Sequence, residues 1–276
     1  MLPKFIASLI RLILLVLMTL ISLSVAQASN ARNDIMMASN PTQSGEYLRQ
    51  GFLAQLNKPF DMANPRKKML VIGDSHAQDF YNALVENNMD QRYQISTRRI
   101  PAICGVYLGT EDISRLIDKK HVPNCQQSDT LAAALAQIKQ ADVVILAANW
   151  KLWSVQRLQT TIQNLNIQAP QKLLVVGRKS FGKLNLRHYL TMSESELKLL
   201  RNPVEGTQQE ITTTLRRVVP KGSLVDVQAL LCKSDTECPL FTPQARLISF
   251  DGGHLTQAGA RYMGQVLLQN APLNQL

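Results

Sequence analysis

The chain is poor in aromatic side chains, 5% of 276 residues, and has only four cysteines, at positions 104, 125, 232 and 238. No two of them form a C-x-x-C pair, so the usual spacing of a structural zinc site is missing and no metal is expected. Acids are outnumbered, 20 against 30 Lys and Arg, for a formal charge of +10. Such an excess would suit nucleic acid, but no recognition motif of that kind is present. Attraction to anionic envelope polymers or lipid headgroups is the simpler account. There is no internal repeat and no low-complexity tract. Beyond the N-terminal segment no further long apolar run occurs, which argues against additional membrane spans and against a long apolar lid.

Residues 1–28 stand apart from the rest. Lys4 and Arg11 are basic, Leu12 to Ala26 is an apolar and small-polar run, and Ala26-Gln27-Ala28 gives an A-x-A pattern before Ser29. That is the anatomy of a cleaved secretory signal peptide. The competing reading is an uncleaved inner-membrane anchor over residues 5–25. Either way the body is expected outside the cytoplasm, periplasmic or secreted. An even number of cysteines in an exported chain suggests disulfides. Three connectivities are open; Cys104 with Cys125 and Cys232 with Cys238 is favoured, since each pair lies within one loop-like stretch.

Residues 29–44 are polar and mixed and read as a flexible linker, which leaves 45–276 as one domain. Buried strands are expected at Met69–Ile72, Tyr93–Thr97, Asp142–Ala147 and Lys172–Val176, with a weaker one at Ser223–Val227. Helical patterns separate them, and the last runs from Thr256 to Leu268. Strands alternating with helices argue for an α/β fold, and their continuous apolar runs fit strands buried on both faces. The expected architecture is a three-layer sandwich with a mainly parallel sheet. Arg99 to Asp129, with Pro101, Gly105, Gly109 and Pro123, reads as a long loop pinned by a disulfide.

The candidate chemistry begins at Gly73-Asp74-Ser75-His76. A strand that breaks here and starts a helix puts Ser75 on a sharp turn at the sheet's carboxyl edge, beside the free N–H groups of a helix N-terminus. A nucleophile needs that place, because those N–H groups can receive the charge formed when a carbonyl is attacked. The plainer reading is that Asp74 or Ser75 caps the helix. Far along the chain, Asp251-Gly252-Gly253-His254 precedes the terminal helix. It supplies a histidine to activate the serine and a carboxylate to fix its tautomer.

These blocks resemble the SGNH, or GDSL, hydrolases, whose fold is flavodoxin-like. Gly73-Asp74-Ser75 matches the first block and Asp251-x-x-His254 the last, which implies a catalytic Ser75, His254 and Asp251. Asn149, closing the third strand, matches an asparagine that donates to the oxyanion, together with the Ser75 N–H. The family's Gly-x-Asn-Asp is here Ala147-Ala148-Asn149-Trp150. A second-block glycine is matched by Gly105, with Gly109 its rival. Asp-Ser-His-Ala, a Trp closing the third block, the extra cysteines and Asp-x-x-His-Leu-Thr-x-x-Gly-Ala resemble one branch in particular. These are the bacterial SGNH domains fused to, or partnered with, membrane acyltransferase-3 proteins. The resemblance spans roughly residues 66–270. It implies a serine esterase or O-acyltransferase acting on acyl, mostly acetyl, groups of envelope glycans. It also implies no cofactor, an acylated glycan as substrate, and a separate membrane acyltransferase as partner.

Competing readings are a non-catalytic glycan- or partner-binding module of the same fold, and a lipase or lysophospholipase. Trp150 and Trp153 are candidates to stack on a sugar, or else core or lid residues. His76 is a substrate contact or a structural first-turn histidine. Arg178, Lys179, Lys183 and Arg187 form a basic loop, either for an anionic glycan or simply solvated. His121 and His188 have no evident partner.

Overall fold

The computed structural model describes residues 30–276, and the signal or anchor segment expected at 1–28 lies outside the described residues. Five strands form one parallel sheet: β1 (Lys67–Gly73), β2 (Tyr93–Arg99), β3 (Val143–Ala147), β4 (Lys172–Val176) and β6 (Leu224–Val225). Their order is β2-β1-β3-β4-β6, and β5 (Arg201–Pro203) and β7 (Glu237–Pro239) form a separate antiparallel pair. The chain leaves β1 toward β2 and then returns to β3 on the other side. The crevice above β1 and β3 is therefore the switch point where open α/β sheets bind ligands.

Alternate strand residues feed two cores. Met69, Val71, Val143 and Ile145 point to one face. Leu70, Ile72, Val144 and Leu146 point to the other. Burial on both sides explains why the strands read as unbroken apolar runs. The first face is covered by the helix over residues 30–38 (α1), Pro41–Ala54 (α2), Ser75–Val85 (α3) and the terminal Gln257–Leu268 (α7). The second is covered by Leu131–Ile138 (α4), Leu158–Leu165 (α5) and Gly206–Val218 (α6).

Of the stretch 29–44 read as a flexible linker, the described residues 30–44 are instead helical and docked on the core. Ala31, Ile35 and Ala38 share one face of α1 and are buried, and Asp34 pairs with Arg246 at 2.5 Å. The spacing i, i+4, i+7 carries the apolar stripe even though the segment is polar on average. The long loop after β2 is held by a Cys104–Cys125 disulfide, and a Cys232–Cys238 disulfide closes the turn before β7. No helix among the described residues is long and apolar enough to cross a membrane.

The terminal helix matters most for the site. On α7, Gly264 lies so close to α3 that a Cβ there would come within 2.3 Å of the Ala83 carbonyl oxygen. That contact brings the chain just before α7, residues 249–256, alongside the first turn of α3.

Candidate active site

The site begins where β1 ends. Gly73 has φ +150°, and a Cβ there would sit 1.8 Å from the Ala147 carbonyl oxygen, so only glycine lets β1 and β3 end side by side. Asp74 follows as the N-cap of α3, accepting the His76 N–H at 2.8 Å. Its carboxylate also accepts the Asn149 N–H, at 2.8 and 3.0 Å. One buried side chain thus caps the helix and fixes the end of β3. Burial raises its pKa, opposed by those two N–H groups and by nearby Lys179. The capping reading of this block is correct for Asp74, which leaves Ser75 as the half-buried first residue of α3.

The structure brings Ser75, His254 and Asp251 together. Ser75 Oγ is 2.8 Å from His254 Nε2, across 179 positions of chain. His254 Nδ1 is 2.7 Å from Asp251 Oδ2. Asp251 Oδ1 accepts the N–H groups of Gly253 and His254, at 2.8 and 2.7 Å. Burial would raise the Asp251 pKa, but these bonds and the imidazole outweigh it and hold the carboxyl below its ordinary range. The Nδ1 proton therefore faces an anion, which leaves Nε2 as the lone-pair nitrogen toward Ser75.

Packing fixes the imidazole from several directions. The Phe250 ring stacks on it, centroids 5.7 Å apart at 21°. Ser249 Oγ donates to the His254 carbonyl at 2.6 Å and accepts the Gly252 N–H at 2.9 Å. On the far side, Lys179 Nζ donates to the Gly253 carbonyl at 2.9 Å and to Asp79 Oδ2 at 2.6 Å. Asp79 Oδ1 accepts the Leu255 N–H at 3.0 Å. Asp79 lies one turn after Ser75 on α3, so the ion pair ties the helix of the serine to both residues that flank the histidine. Sequence reasoning missed this pair, since neither residue belongs to a recognisable block.

The other expected residues divide. Asn149 stands at the end of β3 with its backbone fixed by Asp74, and its Oδ1 is buried without a hydrogen-bond partner. Trp150 is not a substrate surface. It is 1% exposed, packs in the second core, and donates its indole N–H to the Val176 carbonyl at 2.8 Å. A large apolar ring next to β4 is worth more buried than exposed. Gly105 does not present a free N–H either. Its N–H is directed at the Pro101 carbonyl, 3.3 Å away, inside the disulfide-held loop, with the Trp153 ring against it. His76 is buried, edge-on to His254 at 6.2 Å, with Nδ1 unpartnered, and burial pushes its pKa well below the ordinary value.

In the basic loop, Lys179 is buried, Arg178 half-buried, and Lys183 and Arg187 exposed. His188 is exposed in a short helix, Leu186–Tyr189, and His121 lies inside the disulfide-held loop. No cluster of potential metal ligands occurs among the described residues. A cavity of about 750 Å³ lined by Arg217, Pro220 and Gly222 lies at the opposite edge of the sheet, away from this chemistry.

Comparison with known proteins agrees with the fold. Residues 48–269 match the family model described as the SGNH domain fused to AT3 domains. No curated protein matches the chain. Among solved structures, the fold is similar to the periplasmic domain of a lipopolysaccharide acetyltransferase from Salmonella ser. Paratyphi A. Identity is 19% and the TM-score 0.53, over 84% of this chain and 95% of that one.

Proposed function

This chain belongs to the family of SGNH domains found fused to AT3 domains, and on that premise we propose that it is an extracytoplasmic serine acyl-transfer enzyme. Ser75, His254 and Asp251 form its triad. The substrate is an acyl ester, acetyl first among them, and the glycan of the cell envelope is the donor or acceptor alcohol. Two disulfides support the extracytoplasmic setting. The acetyltransferase domain of similar fold supports acetyl as the group moved. The family's association with AT3 domains supports a membrane acyltransferase as partner.

In this reaction Ser75 Oγ attacks the acyl carbonyl carbon while His254 Nε2 takes the hydroxyl proton. Asp251 keeps the other nitrogen protonated and stabilises the imidazolium that forms. The oxyanion is received by the Ser75 N–H at the start of α3 and by the side-chain amide of Asn149. Gly105 is left out of this role, because its N–H is already directed at Pro101. Collapse expels the alcohol, which receives the proton from His254, and leaves an acyl ester on Ser75. A sugar hydroxyl or water then gives its proton to His254 as it attacks the acyl carbonyl, and collapse breaks the bond to Ser75 Oγ, which takes that proton back from His254.

The observation that carries the reading is the 2.8 Å approach of Ser75 Oγ and His254 Nε2, with Asp251 behind. The test is turnover of short and long p-nitrophenyl esters with and without a sugar acceptor, products read by mass spectrometry. The acetyl ester is expected to be used best and an acetylated sugar to appear. A protein that turns over none of them while folded would be a binding module. A preference for long acyl chains would make it a lipase.

A further inference from the structure

Loops at the carboxyl edge of the sheet place basic residues on both sides of the nucleophile. Arg99 ends β2 opposite Gly73 and is exposed. Lys151 follows β3 and Arg178 follows β4, both half-buried. In the strand order, β2 flanks β1 on one side and β3 and β4 on the other. Arg98, Arg157, Arg216 and Arg246 are each engaged by a carboxylate. Among the described residues, Arg99, Lys151 and Arg178 have no such pairing. Cations on the rim of a protein cleft raise the local concentration of anions.

Arg178 is the informative member. Its Nε is buried and has no hydrogen-bond partner, although Gln208 Nε2 holds its backbone carbonyl at 2.7 Å. The carboxylates in its field are Asp74 and Glu205. Asp74 is already occupied by the N–H groups of His76 and Asn149, and Glu205 is exposed at the start of α6. Two further buried atoms without partners, His76 Nδ1 and Asn149 Oδ1, belong to the two residues that Asp74 binds. Lys151 and Arg178 both lie in the field of His76. Unpartnered polar atoms in protein interiors are few and costly. Of the three, the Asn149 oxygen is an acceptor and cannot hold an anion, whereas the Arg178 guanidinium, at the end of β4 and without a carboxylate partner, has a planar fork that matches a carboxylate or phosphate.

We propose that Arg178, aided by Lys151 and Arg99, forms a subsite for an oxyanion substituent, carboxylate or phosphoryl, on the glycan whose acyl ester Ser75 handles. The inference rests on the reading of this site as an acyl-transfer centre, but its test does not need turnover. Lys179, which the sequence groups with Arg178, is excluded from the subsite, because it is committed to Asp79 and Gly253.

The test is calorimetric titration of the full-length Ser75→Ala protein with three oligosaccharides of equal length: an oligogalacturonate, a phosphorylated maltooligosaccharide and the neutral maltooligosaccharide. At least one acidic ligand should bind about tenfold tighter than the neutral one, the scale of one charge-assisted contact. Which acidic ligand does so identifies the substituent. Adding Arg178→Met should bring the ratio close to one, while Arg178→Lys keeps part of it. Lys151→Met should lower the ratio about threefold, by weakening the field, and provides the reading if Arg178→Met does not fold. Equal binding of acidic and neutral ligands, or a preference that survives loss of the cation, would overturn the proposal. If the acyl-transfer reading is wrong, turnover fails in the unsubstituted protein while this binding preference is still measurable.

Discussion

Lys179 and Asp79 form a buried ion pair, Nζ to Oδ2 at 2.6 Å, that clamps the histidine loop onto the serine helix. Both side chains are nearly inaccessible, 4% and 0% exposed. Each has a further backbone partner: Lys179 the Gly253 carbonyl, Asp79 the Leu255 N–H. Removing one member leaves the other as a buried charge without its counterion, which costs about 3–5 kcal/mol. Lys179→Met and Asp79→Asn should each lower the free energy of unfolding, read from urea titration, by that much. A shift below about 1 kcal/mol, the size of an exposed pair, would mean that the clamp is not desolvated.

Trp150 and Asn149 are neighbours with opposite consequences. Trp150→Ala empties a core site and should cost about 3–5 kcal/mol of stability. Asn149→Ala leaves the backbone bond to Asp74 in place, since that bond uses the main-chain N–H. It should lower kcat about 10²–10³-fold, as loss of one oxyanion donor does, while thermal unfolding stays near that of the unsubstituted protein. Parallel thermal scans and ester kinetics on the two variants check both statements. Reversed behaviour would exchange their roles.

His76 gives a pH signature. Burial pushes its pKa well below the ordinary value, and the cations Lys179, Arg178 and Lys151 and the neighbouring His254 act in the same direction. As pH falls below about 6.5, the unfolded chain takes up a proton at this position and the folded chain does not. Stability that is full above that pH is therefore lost on acidification, by about 1.4 kcal/mol per pH unit, until the folded value is reached. Asp74 shifts the opposite way, so the clean reading is the difference between the unsubstituted protein and His76→Gln. Parallel stability–pH curves for the two would show that His76 is not buried as a neutral ring.

The Cys104–Cys125 bridge spans 21 positions. Closing a loop of that length stabilises by about 3 kcal/mol in the chain-entropy model. Cys104→Ser/Cys125→Ser should lower stability by about that amount, measured by urea unfolding against an unreduced control. No change would mean that the loop is held without the bridge.

How much could be read in advance follows from the range of each interaction. Strands buried on both faces announce themselves as apolar runs, and Gly73-Asp74-Ser75 and Asp251-x-x-His254 are local patterns tied to local geometry. The Asp79–Lys179 pair joins a helix interior to a loop 100 positions away, and nothing near either residue marks it. Trp150 looked like a site residue because it stands next to Asn149. Its neighbour across the sheet, Val176, decides that it points into the core. Residues 30–38 were masked by average polarity, since three small or branched side chains on one face suffice to dock a helix.

The most direct measurement is labelling by a fluorophosphonate followed by peptide mass spectrometry. The account predicts one adduct, on Ser75, in the unsubstituted protein, lost in Ser75→Ala and slowed by at least about 10³-fold in His254→Ala. Folded protein that takes no label at Ser75, or labels there equally fast without the imidazole, would contradict it.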